Sequence, residues 1–203
     1  MVATRTARLL AATLVVLAVG TGVAFAVVDA SVLQGETATD STTGTSQVSN
    51  ATATLQGPVT LAVEGDGWLE QAVGNRVEAE LIDRGATVTR VDTPTDSGGA
   101  PVLAIGVAEK RVGYTPFTPS ATVETRFAYV TSGNGTLATS IVRGDPMVVH
   151  SNRDVYVVGG TVSVQDRARG VSTWPAYQRR VATATGDAVI RALSDAPGMD
   201  RPN

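Results

Sequence analysis

The stretch "PVLAIGVAEKRVGYTPFTPSATVETRFAYVT", residues 101–131, decides the fold. Its first part, residues 101–108, is apolar on both faces, the pattern of a central strand covered on one side and partly on the other. Its last part, residues 121–131, alternates: Val123, Thr125, Phe127 and Tyr129 share one face, while Glu124 and Arg126 share the other. Two long strands separated by a short proline-containing loop cannot belong to a strictly alternating β-α-β series. They imply a sheet with antiparallel neighbours.

Working outward, "PVTLAVEG" (58–65) reads as a strand bounded by Pro and Gly. Asp66 offers an N-cap, and Trp68, Leu69, Ala72, Val73, Val77 and Leu81 follow at helical spacing, with Gly85 as the stop. "ATVTRVD" (86–92) reads as the next strand. Asn134-Gly135 is a two-residue hairpin signal, so "TLATSIVRG" (136–144) is expected to return as a strand. "DVYVVGGTVSVQD" (154–166) sets Tyr156, Val158, Val162 and Val164 on one face, and its Gly pair suggests a bulge or a close approach. Tyr177, Val181, Ala184, Ala188, Val189 and Leu193 then describe a second helix. The expectation is an α+β fold: a mixed, mainly antiparallel sheet with two amphipathic helices, near 67–84 and 176–194, on one face. The order is β-α-β-β-β-β-β-α, residues 57–195 form one domain, and residues 196–203 are a disordered tail.

The N-terminal segment sets the expected address. Arg5 and Arg8 precede Leu9–Val28, twenty residues without a charge. As a helix that run would rise about 30 Å, the thickness of a bilayer's hydrocarbon core. Ala24-Phe25-Ala26 also fits the small-residue pattern of a signal-peptide cleavage site, but the run continues past it through Val27 and Val28. The expected arrangement is a single-pass signal anchor over 9–28, residues 1–8 inside the cell and the domain outside. The alternative is a secreted chain cut after Ala26. Residues 29–56 hold the Ser/Thr-rich stretch Gln34–Thr54, expected to be a flexible tether reaching about 25 Å on average.

Composition narrows the chemistry. The 203 residues carry a net charge of −3 and no Cys. Thiol catalysis, disulfides, Cys-ligated metals and a lipid-modified Cys are thereby excluded. The sixteen basic residues form no block, which argues against a nucleic-acid partner. His150 is the sole histidine and sits in no nucleophile motif, so neither a catalytic triad nor a zinc site is expected. Glu64 and Asp66 could serve a hydrolase built on paired carboxylates, against the plainer roles of a solvated side chain and a helix cap. Asp92 and Asp96 match no Ca²⁺ loop. Neither "DSGGAP" (96–101) nor Gly159-Gly160-Thr161 has the strand-to-helix context of a phosphate site, and no metal or cofactor is expected.

Two sequons, at Asn50 and Asn134, are glycosylation candidates. Trp68 and Trp174, one at each helix start, are expected to pack inward and staple the entering chain. The loop 113–120 carries Tyr114 and Phe117 in a chain with only nine aromatics, and is the candidate partner-binding tip. The expected function is a membrane-anchored extracytoplasmic domain of the cell envelope that binds or assembles without catalysis, with an envelope protein or glycan as partner. An exported carboxylate hydrolase is the alternative.

Overall fold

A computed structural model of the protein describes residues 31–48, 53–92, 99–145 and 155–200. Six strands form one mixed sheet in the order β1-β6-β5-β4-β2-β3. They are β1 (Ser31–Val48), β2 (Gly57–Glu64), β3 (Ala86–Val91), β4 (Val102–Gly113), β5 (Ser120–Val130) and β6 (Val155–Ser172). The three helices are α1 (Trp68–Asp83), α2 (Gly135–Arg143) and α3 (Trp174–Ser194). β2 runs parallel to β3 and β4, and the other neighbours are antiparallel. The α+β class, the mixed sheet and the helix pair on one face are as the sequence implies.

The period of two along each strand divides the core. Leu61, Leu103, Ile105, Val123, Phe127, Tyr129, Val158, Val162 and Val164 point to the face covered by α1 and α3. Ala62, Val102, Ala104, Ala128, Val130 and Val157 point to the opposite face, under α2. β4 is apolar on both sides from Val102 to Gly106 because that part lies between these two layers. The α2 face is built from small residues so that the helix can lie close. A Cβ on Gly106 would stand 2.6 Å from Val142 Cγ1, well inside contact distance.

That third helix corrects the expected strand at 136–144. Asn134 does not turn a hairpin; its Oδ1 accepts a hydrogen bond from the Leu137 N–H at 2.8 Å, which makes it an N-cap. Leu137, Ala138, Ile141 and Val142 recur at one- and four-residue intervals and meet the sheet on one helical stripe. Gly144, at φ 79°, closes the helix in the left-handed conformation. The Asn-Gly pair fits a tight turn and a helix start equally well, and burial of that apolar stripe decides for the helix.

The expected flexible tether is corrected as well. Ser31–Val48 is an edge strand, paired antiparallel to β6 along its whole length from Ser31↔Ser172 to Val48↔Val155. Gly35 is required here: a Cβ would lie 2.3 Å from the Arg167 carbonyl oxygen. Ala53 and Leu55, also inside the expected tether, are buried. At the other end, Ala196 and Met199 are buried in the same core. The Ala53 N–H donates to the Gly198 carbonyl at 3.0 Å, and the Asp200 N–H donates to the Ala53 carbonyl at 2.7 Å. Residues 196–200 are thus packed, contrary to a disordered tail from 196.

Smaller readings divide. Gly85 follows α1 at φ 90° as expected, but Gly67, not Asp66, is the N-cap residue, and no side chain caps that helix. The Gly pair of β6 marks a close approach, since a Cβ on Gly160 would meet the Phe127 ring at 2.8 Å. The register irregularity lies instead in β4, between Val107 and Glu109. The apolar run 9–28 lies outside the described residues, and among the described residues no helix is long and apolar enough to cross a membrane.

Replacing Asn134 with Ala removes the cap of α2 and should cost about 1 kcal/mol. Urea unfolding followed by circular dichroism would show the loss as a lower midpoint with an unchanged slope.

Candidate functional site

The connection between β4 and β5 is built as an extension of the sheet. The carbonyls of Pro116, Phe117 and Pro119 accept hydrogen bonds from the N–H groups of Ser172, Gly170 and Ala168 at 3.0, 3.0 and 3.1 Å. Proline has no N–H to offer, so it suits positions where only the carbonyl is used. Within the loop, Thr115 Oγ1 accepts from the Thr118 N–H at 2.9 Å and meets the Thr118 hydroxyl at 2.8 Å. These contacts fix the tip in place.

The two aromatic residues of this loop have different environments. Tyr114 is half-buried; its hydroxyl donates to the Ser172 carbonyl at 2.6 Å. Its ring lies edge-on to Trp174 at 5.1 Å, and Trp174 lies edge-on to Trp68 at 5.5 Å. Such edge-to-face pairs add about 0.5–1.5 kcal/mol beyond area burial. The two tryptophans, both half-buried, therefore bring the starts of α1 and α3 together. Phe117 is 65% exposed, and Val171, on the neighbouring strand, is 48% exposed. Ile82, on α1, is the other large apolar side chain exposed among the described residues.

Behind the tip sits a charged cluster that the sequence reading missed. Asp166 is completely buried on the helix-covered face of β6. Arg180 of α3 contacts its Oδ1 through Nε at 3.0 Å and Nη2 at 2.9 Å. The Thr37 hydroxyl of β1 donates to the same Oδ1 at 2.6 Å, and Arg180 reaches Thr37 Oγ1 at 3.2 Å. One buried carboxylate thus ties β1, β6 and α3 together. Burial, and secondly the nearby Asp166 charge, push the Tyr177 hydroxyl well above the usual tyrosine range, partly opposed by Arg180. A signal for Asp166 was present: it continues the alternation of Tyr156, Val158, Val162 and Val164, which sets a carboxylate on the core face.

The carboxylates considered for hydrolysis are placed otherwise. Glu64 is paired with Arg143 at 2.9 Å, and Asp66 is exposed in the turn before α1. Glu70, on the first turn of α1, is gripped by Lys110 Nζ at 2.7 and 3.0 Å. Among the described residues no three His, Asp or Glu side chains gather as a metal site. Asp92 is exposed, while Asp96, His150 and Asn50 lie outside the described residues. Asn134 is exposed at the cap of α2. A shallow groove runs between β1 and α3, lined by Thr37, Ala176, Arg180, Thr183, Ala184 and Asp187. Asp187 is held by Arg76 of α1 at 2.7 Å.

Phe117→Ser should change stability by less than about 0.5 kcal/mol, because the ring is mostly in solvent. Tyr114→Ser removes a packed ring and a hydrogen bond and should cost about 2 kcal/mol, below the range for a fully buried aromatic. Paired urea melts would separate the two. Asp166→Ala should cost on the order of 3 kcal/mol, the low end for breaking a buried pair, since Arg180 keeps some solvent contact. Hydrogen exchange of the β1 amides near Thr37 should quicken in that variant, and unchanged exchange would show that the clasp does not hold the strand.

No family model matches the chain, and no curated protein is similar to it. Among solved structures, the chain is similar to the PelC dodecamer from Paraburkholderia phytofirmans, with 15% identity and a TM-score of 0.35. That similarity covers 72% of this chain and 96% of the other. It is also similar to a lipoprotein from Neisseria meningitidis, with 14% identity, a TM-score of 0.34, and 70% and 99% of the two chains covered. At these values the likeness assigns no function to the chain.

Proposed function

We propose that this protein is a membrane-anchored, extracytoplasmic binding or assembly domain of the cell envelope, without a catalytic role. The observation that carries the reading is the start of the folded domain. β1 begins at Ser31, three residues after the last apolar residue of the uncharged run Leu9–Val28. The length of that run fits a bilayer, and Arg5 and Arg8 on its N-terminal side favour an orientation with residues 1–8 inside and the domain outside. A binding role fits a rigid sheet end that holds Phe117 and Val171 in solvent, with Tyr114 acting from beneath as support. The pairing of Glu64 with Arg143, and the exposure of Asp66 in the turn before α1, speak against these two as a facing carboxylate pair for hydrolysis.

The alternative address is secretion after cleavage at Ala26. Fractionation of the native host followed by N-terminal sequencing tests the choice. The anchored reading expects the full chain in the membrane fraction, resistant to extraction with carbonate. A soluble chain beginning at Val27 would overturn it.

A further inference from the structure

We infer that the end of the sheet carrying Phe117 and Val171 rests in the lipid interface of the membrane that residues 9–28 enter. The inference deepens the anchored reading and depends on it. Its ground is distance. From Val28 to Ser31 are three residues, which span at most about 11 Å even when fully extended. The headgroup layer outside the hydrocarbon core is itself about 5–8 Å thick. Ser31 is therefore confined to the headgroup layer or its immediate border.

The β1–β6 register carries that constraint to the tip. Ser31 pairs with Ser172, and Val32 with Val171. On the far side of β6, Pro116 and Phe117 are hydrogen-bonded to Ser172 and Gly170. Neighbouring strands lie about 4.8 Å apart, so Phe117 stands within roughly 10 Å of β1 at the same height along the sheet. A domain tethered by a loose 28-residue coil could keep this end in water; a domain whose first strand starts at Ser31 cannot.

The side chains at this end suit the place. Phe117 and Val171 are the apolar groups held out at the tip, and half-buried Trp174 and Tyr114 lie at the same end of the sheet, on its helix-covered face. Aromatic rings with one polar edge favour the headgroup level. Among the described residues the first charge behind the tip is Arg169, two residues from Val171 on the same strand face and exposed. That offset is about 7 Å, suitable for a guanidinium meeting lipid phosphate. Apart from Asp29 in the link itself, acidic groups come further back: Glu36 lies opposite Arg167, and Glu109 is paired with Arg111.

The absence of Cys makes the test direct, since single cysteines can be introduced for nitroxide labelling without removing native ones. Full-length protein carrying Phe117→Cys, Val171→Cys, Ser132→Cys or Ala18→Cys is labelled and reconstituted into vesicles of equimolar phosphatidylcholine and phosphatidylglycerol. Ser132 is exposed and follows β5 at the opposite end of the sheet. Power saturation with oxygen and with a water-soluble nickel chelate reads the depth of each label. Labels at 117 and 171 are expected to lose collision with nickel and gain collision with oxygen, while the label at 132 stays aqueous and the label at 18 lies deep. A deep label at 18 with aqueous labels at 117 and 171 overturns the inference and leaves the anchor standing. Labels at 117 and 171 shielded from both reagents would mean a protein contact at the tip, and would also overturn it. An aqueous label at 18 removes the anchor and the inference together.

Discussion

The eighteen-residue ladder between β1 and β6 places Ser31 opposite Ser172, and the position of every feature that bears on function follows from that register. β6 is shared: along Arg167 to Val157 it also pairs with β5, from Ser120 to Val130. The carbonyls of Pro116, Phe117 and Pro119 prolong that pairing to the end of the strand. β6 thus has its backbone satisfied on both sides, and the loop tip is tied to the same frame as the first residues of β1. A slip of β1 by one residue in this ladder would turn Thr37 to the other face of the sheet, away from Asp166, while β6 stays held by β5. The clasp of Asp166, Thr37 and Arg180 is therefore also a register lock, because it forms only when Thr37 stands opposite Asp166.

The sheet is covered unevenly, and the unevenness gives it two distinct ends. Where β2, β4 and β5 lie side by side, helices cover both faces, and small residues such as Ala62, Ala104, Gly106 and Ala128 let α2 approach. Beyond the irregularity at Val107 to Glu109, β4, β5 and β6 continue with helices on one face only. The other face there carries Arg111, Thr122, Glu124, Gln165, Arg167 and Arg169, the polar side of a half-covered sheet. This two-layer extension is the part that ends in Phe117 and Val171. Its rigidity comes from the aromatic group of Trp68, Trp174 and Tyr114, which joins the helix starts to the loop.

Much of this was legible in the sequence where side-chain burial leaves a period. The alternation at 121–131, the double-sided run at 101–108 and the helical stripes of α1 and α3 all arise because core-facing residues must be apolar. The strand at 136–144 failed because Asn134-Gly135 serves two geometries, and a nine-residue segment rich in β-branched residues gives period little room to speak. β1 failed for a different reason. Residues 34–43 are exposed on both faces, and the strand is held by backbone hydrogen bonds and one threonine, neither of which writes a hydrophobic pattern. At the candidate site, the sequence pointed to the Tyr114–Phe117 loop but could not separate the supporting ring from the exposed one. Asp166 was readable only by following the alternation of β6 past Val164.

A polar strand at this position also answers a need of β6. Without β1, β6 would present an eighteen-residue edge of unpaired backbone that includes Val155, Val157, Val158, Val162 and Val164, the kind of edge that pairs with other chains. β1 takes up those hydrogen bonds and replaces that edge with one made of Gln34, Glu36, Thr39, Asp40 and Thr42, where charges and exposed hydroxyls discourage further addition. The same Ser/Thr-rich composition that gives a linker its solubility lets a strand end a sheet safely, since threonine is favoured in strands and needs no apolar cover. Edge protection and a short link to the apolar run are therefore two effects of one segment. The strand that closes the sheet is the one that leaves no slack between Val28 and the domain.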